Sequence, residues 1–224
     1  MGVPEDITLY LKDLYNINTF FETGTFNGWT SFWASKYFRE VKTIEFSRKI
    51  YDETIERHKK LKNVDFIFGD SRSELKKIVK EQSERAIFWL DAHWCCSNSY
   101  GENDQCPLLE ELDIINLSTH NNIILVDDAR LFLSPPSFPN STKFYPTISE
   151  IILKLNKKYY IIIYEDVIIC IPGERKVDFI SFMQKKITSD SAEFYRQKIK
   201  REKLNNIKRN IKKIIGYKFR RKNV

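Results

Sequence analysis

The feature that most constrains the fold is the alternation of short apolar runs with longer amphipathic segments. Five runs are typical of β-strands: "NTFFE", "VKTIE", "VDFIF", "AIFWL" and "NIILV". Apolar residues at helical spacing lie around these runs, over residues 6–15, 28–38, 47–61, 71–81, 107–117 and 147–157. Strands that alternate with helices of ten or more residues indicate βαβ units around a parallel sheet.

The last two apolar runs, "YYIIIYE" and "VIICIP", are predicted to close the sheet as an antiparallel pair. The predicted fold class is therefore α/β: a Rossmann-like doubly wound sheet, mostly parallel with an antiparallel C-terminal strand pair, and with helices on both faces. We expect the sheet domain to span residues 1–175 and a basic helical C-terminal extension to span residues 176–224. Ser47 is the predicted N-cap of one helix, and Ser71 with Glu74 the predicted capping box of the next.

Positive charge is concentrated at the C-terminus. From Arg196 to Val224 there are thirteen Lys or Arg residues and one acid, Glu202, a net charge of +12. Because the whole chain carries +7, the remainder is mildly acidic at −5. The basic character is thus a property of the tail rather than of the sheet domain.

The four cysteines, Cys95, Cys96, Cys106 and Cys170, lie in a sequence with no recognisable export signal and no apolar run near the ~18 residues of a membrane helix. We therefore expect reduced thiols and a cytoplasmic protein. The first three cysteines lie close to His93 in sequence, which leaves a structural zinc site as an alternative. The C-x-x-C spacing of such sites is absent, which favours ordinary loop thiols.

Polar residues and glycines follow the five predicted parallel strands, where ligands of such sheets bind. They are Glu22, Thr23, Gly24 and Thr25 after the first strand, Glu45 at the end of the second, Gly69, Asp70 and Ser71 after the third, Asp91 and His93 after the fourth, and Asp127 and Asp128 after the fifth. Gly24 lets the backbone pass close to a ligand at the start of a helix. Glu45 can accept both hydroxyls of a ribose, or it is simply a solvated acid at a strand end.

These strand exits together resemble class I S-adenosylmethionine-dependent methyltransferases over about residues 18–172. The matching stretches are "FFETGTFNGWTS", "VKTIEFS" and "FIFGDSRSEL". The G-x-G-x-x-G dinucleotide fingerprint is absent. The resemblance implies S-adenosylmethionine as cofactor, with its methionine part near Glu22, Thr23, Gly24 and Thr25, its ribose near Glu45, and its adenine near Asp70 and Ser71. Asp91 would also face the cofactor.

The stretches "FWLDAHW", "PLLEELDII" and "ILVDDAR" resemble metal-dependent O-methyltransferases of the catechol type, and those that act on sugars still more closely. The resemblance implies that Asp91, Asp127 and Asp128 hold Mg²⁺, or alternatively Mn²⁺ or Ca²⁺. Three converging carboxylates would repel one another unless a cation neutralised them. By the same resemblance His93 stands at the position of the general base, and Asp91 and His93 are the expected catalytic residues.

Several of these residues also have structural interpretations. Asp127 and Asp128 could form a helix cap or turn pair, and His93 could be a wall of the pocket. Trp89 and Trp94, on either side of Asp91, are typical of a core or a pocket wall. Arg130 could bind an anionic acceptor or form a structural ion pair with one of the acids.

The tail places Leu204, Ile207, Ile211, Ile214 and Ile215 at helical spacing among basic residues. This pattern suits peripheral contact with an anionic surface of the inner membrane. The alternative is a helix packed on the body or on a partner copy in a homo-oligomer. We do not expect nucleic acid as the partner, because no nucleic-acid module is recognisable and only two aromatic residues follow Arg196.

The sequence therefore predicts a metal-assisted O-methyltransferase that acts on a sugar or polyhydroxy acceptor, free or part of a glycan, in surface-glycan biosynthesis. Two alternatives remain open. One is a metal-independent methyltransferase with a nitrogen or phosphate-type acceptor. The other is a non-catalytic cofactor-binding protein with a basic docking tail.

Overall fold

The computed structural model describes residues 2–94, 103–134, 136–138, 140–155 and 158–221, with the backbone alone for residues 210–221. Its strands are β1 (Thr19–Thr23), β2 (Glu40–Glu45), β3 (Val64–Phe68), β4 (Ala86–Leu90), β5 (Ile123–Val126), β6 (Tyr159–Tyr164) and β7 (Val167–Pro172). Its helices are α1 (Glu5–Tyr15), α2 (Trp29–Ala34), α3 (Arg48–His58), α4 (Ser71–Glu81), α5 (Leu108–Ile115), α6 (Arg130–Leu133), α7 (Ile148–Lys154) and α8 (Lys176–Arg221).

The seven strands form one sheet in the order β3-β2-β1-β4-β5-β7-β6. The first five strands pair in parallel, and β7 pairs antiparallel with both β5 and β6. The predicted fold class, including the antiparallel C-terminal pair, is confirmed. The order reverses between β1 and β4, so the carboxyl ends of β1 to β5 form a continuous edge with a switch point at its centre.

Successive side chains of a strand point to opposite faces of the sheet, so each face has its own set of contacts. Both faces are covered. On one face, paired residues of neighbouring strands form an apolar row: Phe21, Phe88, Ile124 and Cys170. This row belongs to a buried cluster that also contains residues of α4, α5 and α7. On the other face the ring of Phe20 packs against those of Trp33 and Phe38. Burial on both faces explains why β4, β5 and β7, which are buried along their whole length, consist of apolar residues.

The helix starts were predicted with mixed success. Ser47 caps α3 as expected, and its side chain accepts a hydrogen bond from the backbone N–H of Ile50. The predicted capping box of Ser71 and Glu74 is wrong. Asp70 is the N-cap of α4, because its carboxylate accepts from the N–H of Arg72 and leaves Ser71 inside the first turn.

Three other segments differ from the prediction. The helix expected over residues 28–38 ends at Ala34. Beyond it the chain continues in turns that include backbone hydrogen bonds between residues three apart. The Pro-rich stretch from Leu131 to Pro146 predicts a loop, but its first three residues belong to the short helix α6. The helix expected over residues 147–157 ends at Lys154, and it starts with a capping box between Thr147 and Glu150.

The chain divides into two compact units, Met1–Lys176 and Val177–Val224. The predicted boundary between residues 175 and 176 lies one residue away from this division. None of the described helices is long and apolar enough to cross a membrane. The second unit consists of the part of α8 that begins at Val177 and the residues after it.

Candidate functional site

A cleft of about 250 Å³ opens where the first five strands end. Residues from all five strand exits and from the helices behind them line this cleft. They are Gly24, Phe26, Ile44, Glu45, Phe46, Ile50, Gly69, Ser71, Asp91, Ala92, His93, Asp127, Asp128 and Arg130. The cleft lies at the strand exits, where the sequence analysis expected a ligand to bind, although Glu22, Thr23, Thr25 and Asp70 are not among the lining residues.

The loop after β1 has a left-handed backbone at Gly24 (φ 85°), Phe26 (φ 46°) and Gly28 (φ 72°). A Cβ atom on Gly24 would lie 2.3 Å from the carbonyl oxygen of Asp91. The backbone N–H of Gly24 donates to the carbonyl of Ile44, at 3.0 Å. Glycine therefore lets the loop pass between the exits of β2 and β4, close to any ligand in the cleft.

Helix α3 holds the same loop from outside. The Thr54 hydroxyl donates to the carbonyl of Phe26 at 2.6 Å, and Nε2 of His58 lies 3.0 Å from the carbonyl oxygen of Asn27. A Cβ atom on Gly28 would lie 2.8 Å from both side chains. Sequence reasoning missed Thr54 and His58. Their four-residue spacing on an otherwise charged helix was the available signal.

Glu22 lies buried behind the loop rather than in the cleft lining. Its carboxylate accepts from the hydroxyls of Ser31 and Thr43, and the Thr25 hydroxyl lies 2.6 Å from that of Thr43. Burial raises the pKa of Glu22 to about 7, even though these hydrogen bonds favour the charged form. The network ties the loop to α2 and β2, so Glu22 and Thr25 support the loop from behind.

Glu45 lies at the tip of β2 and is one of the buried residues of the cleft. Its Oε2 accepts from the backbone N–H of Phe26 at 2.9 Å, and its Oε1 accepts from that of Ser47 at 2.8 Å. Each carboxylate oxygen has a second acceptor site, so the group can still accept two ligand hydroxyls. Phe46 and Ile50 line the cleft close by in the chain and provide an apolar wall.

Asp70 and Ser71 follow β3 but face different surroundings. Besides capping α4, the Asp70 carboxylate pairs with Nη2 of Arg72 at 2.8 Å. Nη1 of Arg72 lies 2.8 Å from Asp104, which ties α4 to the segment before α5. Ser71 is buried and lines the cleft. Of the two residues expected near adenine, the structure places only Ser71 at the cleft wall.

Asp91, His93, Asp127 and Asp128 come together at the exits of β4 and β5. Nε2 of His93 lies 2.9 Å from Oδ2 of Asp128, and its Nδ1 lies 3.4 Å from Oδ1 of Asp91. Asp128 has a left-handed backbone (φ 57°), and its N–H donates to Oδ1 of Asp127 at 2.7 Å. The predicted convergence of these side chains is what the structure shows.

The cluster distributes its charge unevenly. Burial raises the pKa of Asp91 to about 8 and that of Asp127 to about 6, and neighbouring acids add to both effects. Burial also favours the uncharged form of Asp128, but His93 and Arg130 outweigh it and lower the pKa of that carboxyl. Burial disfavours the charged His93 ring, yet the hydrogen bond that the ring donates to Asp128 and the charges of the three acids raise its pKa overall.

Arg130 supplies further positive charge. Its Nη1 lies 2.7 Å from Oδ1 of Asp128 and also contacts the carboxylate of Asp166. Asp166 lies in the turn between β6 and β7, and it accepts from the backbone N–H of Arg130 at 2.8 Å. No role for Asp166 was predicted from the sequence, because this turn residue meets Arg130 only when the sheet order brings β7 beside β5. Arg130 thus forms a structural ion pair with one of the acids, which is one of the two roles that the sequence analysis left open for it.

The residues expected to hold a metal ion do not fit one as they are arranged. Oxygen-only ligands suit a hard divalent cation in their chemistry. However, both oxygens of Asp128 are engaged, one by Arg130 and the other by His93. Within the described ranges, no group of three or more His, Cys, Asp or Glu side chains is arranged to hold a metal. Arg130 supplies positive charge at the cluster, and His93 adds to it only when its ring is protonated.

The aromatic and cysteine residues around the site have structural surroundings. Trp89 is fully buried, and Trp94 is 8% exposed, as expected for core or wall residues. Cys106 and Cys170 are buried free thiols, and burial raises the pKa of both; for Cys106 it is about 12. Cys95 and Cys96, on which the zinc alternative depended, lie outside the described residues.

No protein-family model matches the sequence, and no curated protein matches it significantly. Solved structures do match. One is the SAH-bound methyltransferase PaMTH1 from Podospora anserina, at 15% identity and a TM-score of 0.52, covering 78% of this chain and 80% of that one. Another is a putative caffeoyl-CoA O-methyltransferase from Staphylococcus aureus, at 16% identity and a TM-score of 0.52, covering 77% and 85%. The chain therefore has the class I S-adenosylmethionine-dependent methyltransferase fold.

Proposed function

We propose that this protein is an S-adenosylmethionine-dependent O-methyltransferase whose acceptor is a hydroxyl of a sugar or a related polyhydroxy compound. The observation that carries the proposal is the composition of the cleft at the strand exits. One part of its wall holds Gly24 and Glu45, which suit a nucleoside cofactor, and another part holds His93 between Asp91 and Asp128. A methyl donor and an acceptor hydroxyl can therefore meet in one space.

The cofactor side follows from the geometry of two strand exits. Glu45 keeps acceptor capacity for two ribose hydroxyls, and the Gly24 backbone leaves room for the rest of the cofactor. Phe46 and Ile50 offer an apolar surface beside Glu45 that suits a flat base. The two structural neighbours add support, because one is described as bound to SAH and the other as a putative O-methyltransferase.

The acceptor side follows from the acid cluster. In an in-line displacement, the acceptor oxygen forms a bond to the methyl carbon while the carbon–sulfur bond breaks. The hydroxyl proton then moves to the neutral ring of His93. Asp128 and Asp91 stabilise the imidazolium that forms, because both lie against ring nitrogens. The cofactor leaves as the neutral thioether S-adenosylhomocysteine.

Metal assistance by Mg²⁺, Mn²⁺ or Ca²⁺ stays a prediction of the sequence resemblance. A methyl-transfer assay with and without EDTA tests it directly. Full activity in EDTA would reject metal assistance, and loss of activity that added Mg²⁺ restores would support it. A cytoplasmic location and a role in surface-glycan biosynthesis stay predictions in the same way.

The experiment for the proposal is transfer of a labelled methyl group to a panel of sugars and nucleotide-linked sugars, with the product bond identified by mass spectrometry. A methyl ether formed by the wild type and lost in His93→Ala would support it. Methyl transfer to nitrogen or phosphate would contradict the proposed acceptor. Cofactor binding without transfer to any acceptor of the panel would favour the non-catalytic alternative.

A further inference from the structure

Glu111 is a buried carboxyl group that the proposed reaction does not use. It lies in the first turn of α5 and is 1% exposed, between the core residues Leu108 and Leu112. Burial raises the pKa of Glu111 to about 7. A leucine at this position would bury more apolar surface and would not lose hydration of a polar group. The carboxyl group therefore lowers the stability of the fold, so a reason other than stability is needed for its presence at this position.

The surroundings of Glu111 connect it to the cofactor side of the cleft. Its carboxyl group interacts with the hydroxyls of Ser71 and Thr23, which favour its charged form. Ser71 lines the cleft, and Thr23 directly precedes Gly24. Oε1 of Glu111 and both hydroxyl oxygens are buried and have no partner with full hydrogen-bond geometry among the described residues.

Glu111 also reaches towards the acceptor side. A small cavity of about 10 Å³ is lined by Glu111 together with His93 and Asp127. Glu111 therefore lies behind the cleft, between the exits of β1 and β3 on one side and those of β4 and β5 on the other. A side chain in this position can set the spacing of the cofactor-binding strand exits.

We propose that Glu111 is a positioning residue for the methyl-donor site, acting through the hydroxyls of Thr23 and Ser71. It holds the end of β1 and the first turn of α4 at the separation that the cofactor requires. The inference rests on the proposed function, because it takes the ligand of the cleft to be S-adenosylmethionine. It assigns a role in cofactor binding to a residue that does not itself touch the cofactor.

The test compares calorimetric titrations of S-adenosylmethionine into the wild type, Glu111→Leu and Glu111→Gln, with Glu110→Gln as the matched control. Glu110 is exposed in the same turn of α5. We expect Glu111→Leu to weaken binding at least about tenfold without lowering the melting temperature. Glutamine can still bond both hydroxyls, so Glu111→Gln should stay within about twofold of the wild type, as should Glu110→Gln.

A second variant covers the case in which Glu111→Leu does not fold. Thr23→Val keeps the shape of a side chain that does not line the cleft, and it should weaken binding several-fold. Wild-type affinity in both Glu111→Leu and Thr23→Val, with binding lost in Glu45→Ala, would overturn this inference and leave the proposed function intact. Absence of binding by the wild type would instead contradict both.

Discussion

Gly24 is the residue at which a small change should have the largest local effect. An alanine there needs a left-handed backbone and would place its Cβ 2.3 Å from the carbonyl oxygen of Asp91. We expect Gly24→Ala to lose roughly 2 kcal/mol or more of stability and to abolish cofactor binding. Thermal denaturation and calorimetry measure the two effects.

Gly173→Ala is the matched control for that change. Its added Cβ would meet the carbonyl oxygen of Lys158 at 3.4 Å, which is ordinary van der Waals contact. The control should stay close to the wild type in both measurements. A Gly24→Ala protein with wild-type stability and affinity would show that the loop is not fixed between β2 and β4.

Glu22 should give stability an unusual dependence on pH. Its pKa is about 7 in the folded protein and near 4.5 in an unfolded chain, so the folded state binds the proton more tightly. The contribution of Glu22 to stability is then greatest below pH 4.5 and falls as the pH rises towards 7, by roughly 3 kcal/mol in total.

Glu22→Gln removes this titration and can still accept from Ser31 and Thr43. We expect the variant to melt higher than the wild type at pH 8, with a smaller advantage or none at pH 5. Scanning calorimetry at the two pH values measures the difference, with Glu40→Gln as control. The same pH dependence in wild type and Glu22→Gln would contradict the assignment.

At the scale of elements, α3 should control the cofactor loop through one hydroxyl. The Thr54 hydroxyl donates to the carbonyl of Phe26, whose own N–H donates to Glu45. We expect Thr54→Val to lose about 1 kcal/mol of stability and to weaken cofactor binding several-fold. Thr54→Ser keeps the hydroxyl and should retain wild-type affinity. Equal affinity in Thr54→Val and Thr54→Ser would mean that α3 does not position the loop.

The basic helix α8 presents exposed apolar side chains in its described part: Phe194, Tyr195, Ile199, Leu204 and Ile207. Together with the thirteen basic residues after position 195, these side chains suit an anionic membrane surface. We expect the full chain to sediment with phosphatidylglycerol vesicles and not with phosphatidylcholine vesicles. The double change Leu204→Ser and Ile207→Ser should weaken this association.

Two observations would speak against that surface as the partner. The first is equal sedimentation with both kinds of vesicle. The second is self-association of the wild type that the double change abolishes, which would assign the exposed side chains to a partner copy. High salt should also reduce vesicle binding, because screening weakens attraction between exposed charges.

At the scale of the whole molecule, the sequence predicted those features that depend on local pattern. Apolar runs in the sequence located all seven strands, and the residues at or just after their ends included Gly24, Glu45, Asp91 and His93, which line the cleft. The features that depend on strand order or on competition between neighbours were missed. Asp166 reaches Arg130 only because β7 lies beside β5, and Asp70 displaced Ser71 as the N-cap because both residue types favour that position.

The predicted metal site also depends on geometry that the sequence pattern does not determine. Three carboxylates at adjacent strand exits are enough, in sequence, to suggest a cation. The structure places His93 and Arg130 against Asp128, so side chains from the same region already engage both oxygens of that carboxylate. Whether these carboxylates bind a cation or pair with His93 and Arg130 depends on side-chain geometry, which residue types and spacing do not determine.

The central claim is that the cleft binds S-adenosylmethionine through Glu45. The most direct test is a calorimetric titration of S-adenosylmethionine into the wild type, Glu45→Ala and Glu40→Ala. Glu40 begins the same strand, β2, at the end opposite the cleft, which makes it the matched control. We predict saturable binding by the wild type and Glu40→Ala, and at least about tenfold weaker binding by Glu45→Ala. No binding by the wild type, or equal affinity in all three proteins, would contradict the account.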